Sequence, residues 1–168
     1  QETGEALLAG MGELHLEITV YRLEEEQNIK VKVSPPIVVY RESVEGNNKG
    51  RSFEGKSPNR HNRFMMECEP LSAEVVAALR EGHFGNGTIR SGDAKEVGSK
   101  FGEFGMDKDL MRKIYAINGT NVLVNDTKGI QGLHETRELI IEAFNEVCKK
   151  GPVAEEPVMG MMVRLVDA

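Results

Sequence analysis

Apolar and polar positions along this chain fall into blocks whose period changes several times. Between residues 11 and 27, Leu14, Ile18 and Tyr21 recur at helical spacing, with Leu16, Val20 and Leu23 as a second stripe. The same letters also alternate with period two from Leu14 to Val20, so periodicity alone leaves helix and strand close. The length of the segment and the acidic run Glu24-Glu25-Glu26 favour a helix. Ile29, Val31 and Val33 then alternate with Lys30 and Lys32, the pattern of a half-buried strand. Ser34-Pro35-Pro36 breaks that pattern and predicts a linker at 35–36, between a first unit over 1–34 and a second over 37–168.

The second unit opens on the apolar run IVVY at 37–40, which reads as a strand. Residues 45–62 are loop-like, with Phe53 their only large apolar side chain. Phe64, Met66 and Cys68 alternate as a strand that ends at Pro70. Ser72 can cap a short helix whose Val75, Val76 and Leu79 share a face, and Gly82 stops it. Seven glycines between residues 82 and 105, with little periodicity, predict loops. Asp107 is a good cap for a helix carrying Leu110, Met111, Ile114 and Ile117, and NVLV at 121–124 reads as a short strand. The strongest helical pattern runs over 133–150, with Leu139, Ile140, Ala143, Phe144 and Val147 on one face. Lys149-Lys150 suit its C-terminal dipole and Gly151-Pro152 ends it. Residues 158–166 predict a last strand. No internal repeat or low-complexity tract interrupts this order.

Composition narrows the class. The chain has 168 residues, 39% hydrophobic and 29% charged, the profile of an ordinary globular domain. The apolar runs PPIVVY and VMGMMV fall far short of the ~20 residues a membrane span needs, so no membrane partner is expected. Nothing resembles a signal peptide, and a first residue Gln1 suggests a segment that begins inside a longer protein. Cys68 and Cys148 stand far apart in apolar-periodic segments without a CxxC pair, which reads as free thiols in a reducing, cytoplasmic setting.

Net charge is −6, which alone argues against a nucleic-acid partner. The distribution changes that picture. Lys49, Arg51, Lys56, Arg60 and Arg63 stand against the single acid Glu54, a local balance of +4 that leaves 16 basic and 26 acidic residues elsewhere.

Residues 50–57, GRSFEGKS, fit the phosphate-binding pattern GxxxxGK[ST] letter for letter. In a true phosphate loop the backbone amides cradle the phosphates, the lysine neutralises them and the hydroxyl holds Mg²⁺. That chemistry needs a buried strand before the loop and a helix after it. Here polar residues precede it, and Pro58 follows Ser57 without an apolar residue to pack a helix, so the match reads as chance. The run Gly82-His83-Phe84-Gly85-Asn86-Gly87 follows a predicted helix and is a stop and turn rather than a dinucleotide fingerprint. His134-Glu135 lacks the second histidine of a zincin helix, and histidines at 15, 61, 83 and 134 are too scattered for a metal site. No Ser/His/Asp or Cys/His set can be argued from spacing, so neither catalytic nor metal-ligating residues are expected. The segment KSPNRHNR at 56–63 differs. Lys56, Arg60 and Arg63 suit phosphates, His61 can stack, and Asn59 and Asn62 can bond bases or sugars. On composition the same segment reads equally well as a solvated turn between two strands.

At this point the residues carry a resemblance that runs in order through the whole chain. GMGELHLE at 10–17 is similar to the signature of the third domain of translocation elongation factors, and PIVVYRE at 36–42 resembles the opening of their fourth. SPNRHNR at 57–63 resembles the archaeal and eukaryotic elongation factor 2 form of that domain, where the bacterial elongation factor G form has a glycine-rich loop. Gly151-Pro152 before a strand is similar to the family's GPL-type turn. The SPNRHNR form, with the insertion at 82–106, points to an archaeal source.

The resemblance implies an α+β chain. Residues 1–34 would be the strand–helix–strand end of an incomplete ferredoxin-like third domain. Residues 37–168 would be most of a fourth domain with a ribosomal-protein-S5 domain-2-like fold, including a left-handed βαβ crossover. It further implies a part without GTPase activity or cofactor of its own, inside a parent that binds GTP and Mg²⁺. That part would enter the small-subunit decoding centre of the ribosome and meet tRNA, mRNA and rRNA. Its tip would be Lys56, Ser57, Pro58, Asn59, Arg60, His61, Asn62 and Arg63. The diphthamide histidine of the family would lie beyond Ala168, and His134 is not its counterpart. An incomplete first domain is also expected to leave an open sheet edge for self-association.

Overall fold

A computed structural model describes residues 6–46, 50–57, 60–128 and 133–168, the side chains of 133–135 excepted. The chain divides into two compact units, Gln1–Val39 and Tyr40–Ala168.

Among the described residues of the first unit there is one helix, α1 (Glu13–Glu25). Glu13 sits in its first turn and Arg22 in its last, each complementing the helix dipole. Asn28 adopts a left-handed backbone, and the Ile29 N–H donates to Leu23 O at 3.0 Å, a wrap-around that closes the helix end. Leu16, Val20 and Leu23 form the half-buried stripe, whereas Leu14, Ile18 and Tyr21 are exposed. The strand expected at Ile29, Val31 and Val33 does not form. Alternation makes a strand only where another strand lies alongside, and no strand occurs among the described residues of this unit. The described residues of this unit therefore form no sheet and show no open sheet edge.

The second unit is a six-stranded sheet in the order β1-β2-β6-β5-β4-β3. Its strands are β1 (Phe53–Lys56), β2 (Arg63–Pro70), β3 (Gly87–Thr88), β4 (Ile114–Asn118), β5 (Asn121–Asn125) and β6 (Met161–Asp167). All neighbours are antiparallel except β5 and β6, which run parallel and are joined through the helix α5 (Leu133–Lys149). The α+β class expected from the sequence is therefore what folds.

Period-two alternation gives the sheet two dressed faces. On one, Val122, Val124, Ile114, Ile117 and Met162 pack under α2 (Ala73–Arg80), α3 (Ala94–Glu103) and the single turn α4 (Lys108–Met111). On the other, Leu123, Ala116, Met161 and Leu165 meet Ile140, Ile141, Phe144 and Cys148 of α5. The inward face of α5 thus differs from the predicted one. Leu139, Ala143 and Val147 are exposed, because helix α5 presents the Ile140–Phe144–Cys148 row to the sheet instead. Burial pushes the Cys148 thiol up to about 12, with an Asn121 hydrogen bond opposing and Cys68 adding to the rise. Both cysteines are free.

Three further expectations change. The glycine-rich stretch 82–105 holds α3, where loops were expected. Gly98 sits inside that helix because a Cβ there would stand 2.6 Å from Arg112 N and 2.8 Å from Met111 C, so only glycine lets α3 approach the end of α4. Phe84, in the turn after α2, stacks on Phe101 of α3 with centroids 3.8 Å apart. The helix capped by Asp107 lasts one turn, and Ile114 and Ile117 lie on β4, where sheet pairing with β5 overrides helical spacing. Finally, IVVY at 37–40 is exposed and forms no strand. Within the second unit, Glu42 bridges Val158.

Candidate nucleic-acid interface

The basic segment sits on the β1–β2 hairpin at one edge of the sheet. Register pairs Phe53 with Met66, Glu54 with Met65, Gly55 with Phe64 and Lys56 with Arg63. Cross-strand partners share a face, so Glu54, Lys56 and Arg63 stand on one side of the hairpin. Phe64 and Met66 stand on the other, packed into the α5 side of the core.

Beyond Lys56 the chain turns on Ser57. Its N–H donates to Asn62 O at 3.0 Å, its O accepts from Arg60 N–H at 2.8 Å, and its Oγ accepts from Asn62 N–H at 3.1 Å. Arg60 takes up a left-handed backbone, φ 59°, uncommon for a residue other than glycine. Pro58 and Asn59 lie outside the described residues. Lys56, Arg60, His61, Asn62 and Arg63 are exposed and Ser57 is half-buried. Of the eight predicted site residues, the structure therefore brings six onto one hairpin end.

Electrostatics at the tip rest on one carboxylate shared by two cations. Glu54 Oε1 lies 3.0 Å from Lys56 Nζ and 4.0 Å from Arg63 Nε. The Lys56 hydrogen bond and charge, helped by Arg63, hold Glu54 below the usual carboxylate range against a smaller effect of burial. Arg60 has no ion pair among the described residues. Exposed pairs such as Lys56–Glu54 are worth ~0–1 kcal/mol, so a phosphate can displace Glu54 at little cost.

The hairpin is rooted in a charged cluster that sequence reading missed. Arg164 on β6 faces Glu67 across the β2–β6 pair and also contacts Glu69 and, at 3.5 Å, Asp126. Asp126 in turn pairs with Lys113 at 3.3 Å. Glu67 accepts a second hydrogen bond, from Gly50 N–H at 3.1 Å, which ties the approach to β1 onto β2. The alternation was a usable signal, since Glu67 and Glu69 interleave with Met66 and Cys68, and Arg164 sits between Val163 and Leu165.

The phosphate-loop pattern at 50–57 does not fit a nucleotide. Its residues 53–56 are a strand, Lys56 is paired with Arg63, and the chain returns as a second strand rather than starting a helix. Among the described residues no group of His, Cys, Asp or Glu is placed to hold a metal ion, and no helix is long and apolar enough to cross a membrane.

Comparison with known proteins covers both units. Residues 1–35 match the family profile described as "Elongation Factor G, domain III", and residues 86–168 match "Elongation factor G, domain IV". The whole chain is 50% identical to elongation factor 2 of Thermoplasma volcanium, 51% to that of Picrophilus torridus and 47% to that of Pyrococcus furiosus. In each case all 168 residues are covered, and the chain spans 22% of the relative's length. The mixed sheet with a β5–α5–β6 parallel unit agrees with the ribosomal-protein-S5-like fold that the resemblance implied.

Proposed function

This chain belongs to the elongation factor 2 branch of the elongation factor G family, and from that premise we propose that it is the RNA-facing arm of a translocation factor. Residues 1–34 are then the end of the third domain, 35–36 the linker and 37–168 most of the fourth. In the cytoplasm the arm enters the decoding centre of the small ribosomal subunit, where it meets tRNA, mRNA and rRNA. GTP hydrolysis with Mg²⁺ takes place elsewhere in the parent, and the arm contributes position and charge rather than catalytic groups.

The observation that carries this reading is the end of the β1–β2 hairpin, where Lys56, Arg60 and Arg63 are exposed and, among the described residues, Glu54 pairs with Lys56 and Arg63 while Arg60 has no ion pair. The rest of the chain is acidic, so an RNA phosphate is drawn to that tip and repelled from the body. Hydrogen bonds of the Ser57 turn fix the backbone from which the cations project, which lowers the backbone part of the ordering cost of binding. His61 supplies a ring for stacking and Asn62 an amide for base or sugar edges. An arm placed this way occupies the space vacated by the tRNA and opposes its return.

The test is Arg60→Ala with Arg63→Ala in the full-length factor that carries this segment. Translocation is expected to slow about tenfold, with GTP binding and fold unchanged. The salt dependence of RNA binding should flatten by roughly 1.5 in log–log slope. An unchanged translocation rate would remove the tip from the mechanism.

A further inference from the structure

Helix α5 has three rows with different fates. Ile140, Phe144 and Cys148 are buried against the sheet. Leu139, Ala143 and Val147, at i, i+4 and i+8, form a ridge on the outside, with Leu139 63% and Val147 42% exposed. Beside them run Glu138, Glu142 and Glu146, again at i, i+4 and i+8 and all exposed. Single exposed apolar residues need no explanation, but an unbroken line of them along a helix is the surface that another helix packs on.

The acidic row borders a groove of about 530 Å³ between α5 and the edge strand β3, reached by Thr88. None of the three carboxylates has an ion pair among the described residues. The nearby cations are engaged elsewhere or stand at one end. Arg137 donates to Ile89 O at 2.6 Å and lies over the Tyr115 ring at 4.6 Å. Lys150, one turn beyond Glu146, pairs with Glu155 at 3.1 Å. Lys149 remains at the C-terminal end of the groove.

We propose that this outer face of α5 is a docking surface for a basic amphipathic helix of another protein. Such a helix lays leucine-like side chains along the Leu139–Ala143–Val147 ridge and its lysines or arginines along the Glu138–Glu142–Glu146 row. Charge decides between occupants. Three carboxylates in a line repel nucleic-acid phosphates, and they repel the same row of a second copy in a symmetric pair. The inference does not rest on the role of the hairpin tip.

The experiment titrates the 168-residue chain with a fluorescent synthetic helix carrying Leu on one face and Lys on the other. A peptide of the same composition with the two types scrambled serves as control. Saturable binding is expected for the amphipathic peptide only. It should weaken about tenfold in Leu139→Ser/Val147→Ser and lose most of its salt dependence in Glu138→Gln/Glu142→Gln/Glu146→Gln. Far-UV circular dichroism checks that these surface variants remain folded. Backbone amide shifts in the unmutated chain should be confined to α5 and β3. Equal binding of the scrambled peptide, equal binding by both variants, or shifts centred elsewhere would overturn the proposal. So would self-association of the chain that the Leu139 and Val147 substitutions abolish, since the occupant would then be a second copy.

Discussion

The carboxylate of Glu42 occupies the place where a side chain on Gly151 would stand. Glu42 accepts hydrogen bonds from Val153, Ala154 and Glu156 N–H at 3.2, 2.8 and 3.3 Å, so the turn after α5 is folded around one acid. Its backbone is held as well, with Glu42 N–H donating to Pro157 O and Glu42 O accepting from Met159 N–H. Gly151→Ala is therefore expected to cost ~1–3 kcal/mol of unfolding free energy through overpacking. In a Glu42→Ala background the same change should cost much less. A denaturant double-mutant cycle checks this, and additive effects would show that the two residues do not compete for the space.

Acid should act through the same carboxylate. Burial alone would raise Glu42, but the backbone N–H groups outweigh it and set its folded pKa below the usual carboxylate range. A lowered folded pKa means stability that is present above the unfolded value of ~4.3 and is lost as pH falls through the lower, folded one. The stability difference between the native chain and Glu42→Gln should be constant above about pH 5 and shrink below it. Urea melts across that window measure it. A difference that grows on acidification would contradict the assignment.

Gly98 and Gly102 lie one turn apart on α3 and should respond differently to alanine. At Gly98 the new methyl meets the backbone of Met111 and Arg112, which cannot move without shifting α4. At Gly102 it meets the flexible side chain of Lys108. Alanine gains ~1 kcal/mol of helix propensity over glycine at either position. Gly98→Ala is expected to destabilise by roughly 1–3 kcal/mol all the same, and Gly102→Ala to be near neutral or stabilising. Thermal unfolding of the two variants separates these outcomes.

These glycines also explain where sequence reading stopped. Alternation at Phe64, Met66 and Cys68, the Ser72 cap and the run NVLV were readable because local pattern and packing agree there. Ser72 Oγ does accept from Val75 N–H, as its position implied. Helix α3 was hidden because its glycines answer to a contact with α4 that is distant in sequence. Ile29, Val31 and Val33 misled for the opposite reason, since their pattern requires a neighbour that the described unit does not contain. The basic residues of the candidate tip could be picked out by charge counting. Their support by Arg164 and Glu67 could not, because it depends on which strands become neighbours.

Arg164 should matter for the hairpin as much as for the sheet. Its side chain is only 12% exposed among Glu67, Glu69 and Asp126. Arg164→Met leaves those carboxylates facing one another and is expected to destabilise by about 3 kcal/mol. Combining it with Glu67→Gln and Glu69→Gln should restore most of the loss. Hydrogen exchange at residues 53–56 should speed up in the single variant, and unchanged exchange would mean that the cluster does not anchor the hairpin.

Nucleotide binding provides a sharp negative control for the hairpin geometry. Because Lys56 ends a strand paired with Arg63, the chain is expected to show no saturable binding of a fluorescent GTP or ATP analogue in Mg²⁺ at high micromolar concentration. Saturable binding lost in Lys56→Ala would require a helix after Ser57 in place of the turn.

The strand order has a consequence for how this surface can change over time. Strands β1 and β3 are the two edges of a six-stranded sheet, five inter-strand steps apart, or about 24 Å at ~4.8 Å per step. The hairpin cations belong to one edge and the α5 groove to the other. That separation is roughly three screening lengths at physiological ionic strength, ~8 Å each. Charge can therefore be gained or lost on either margin with little effect on the other, so a lineage can retune the two surfaces independently.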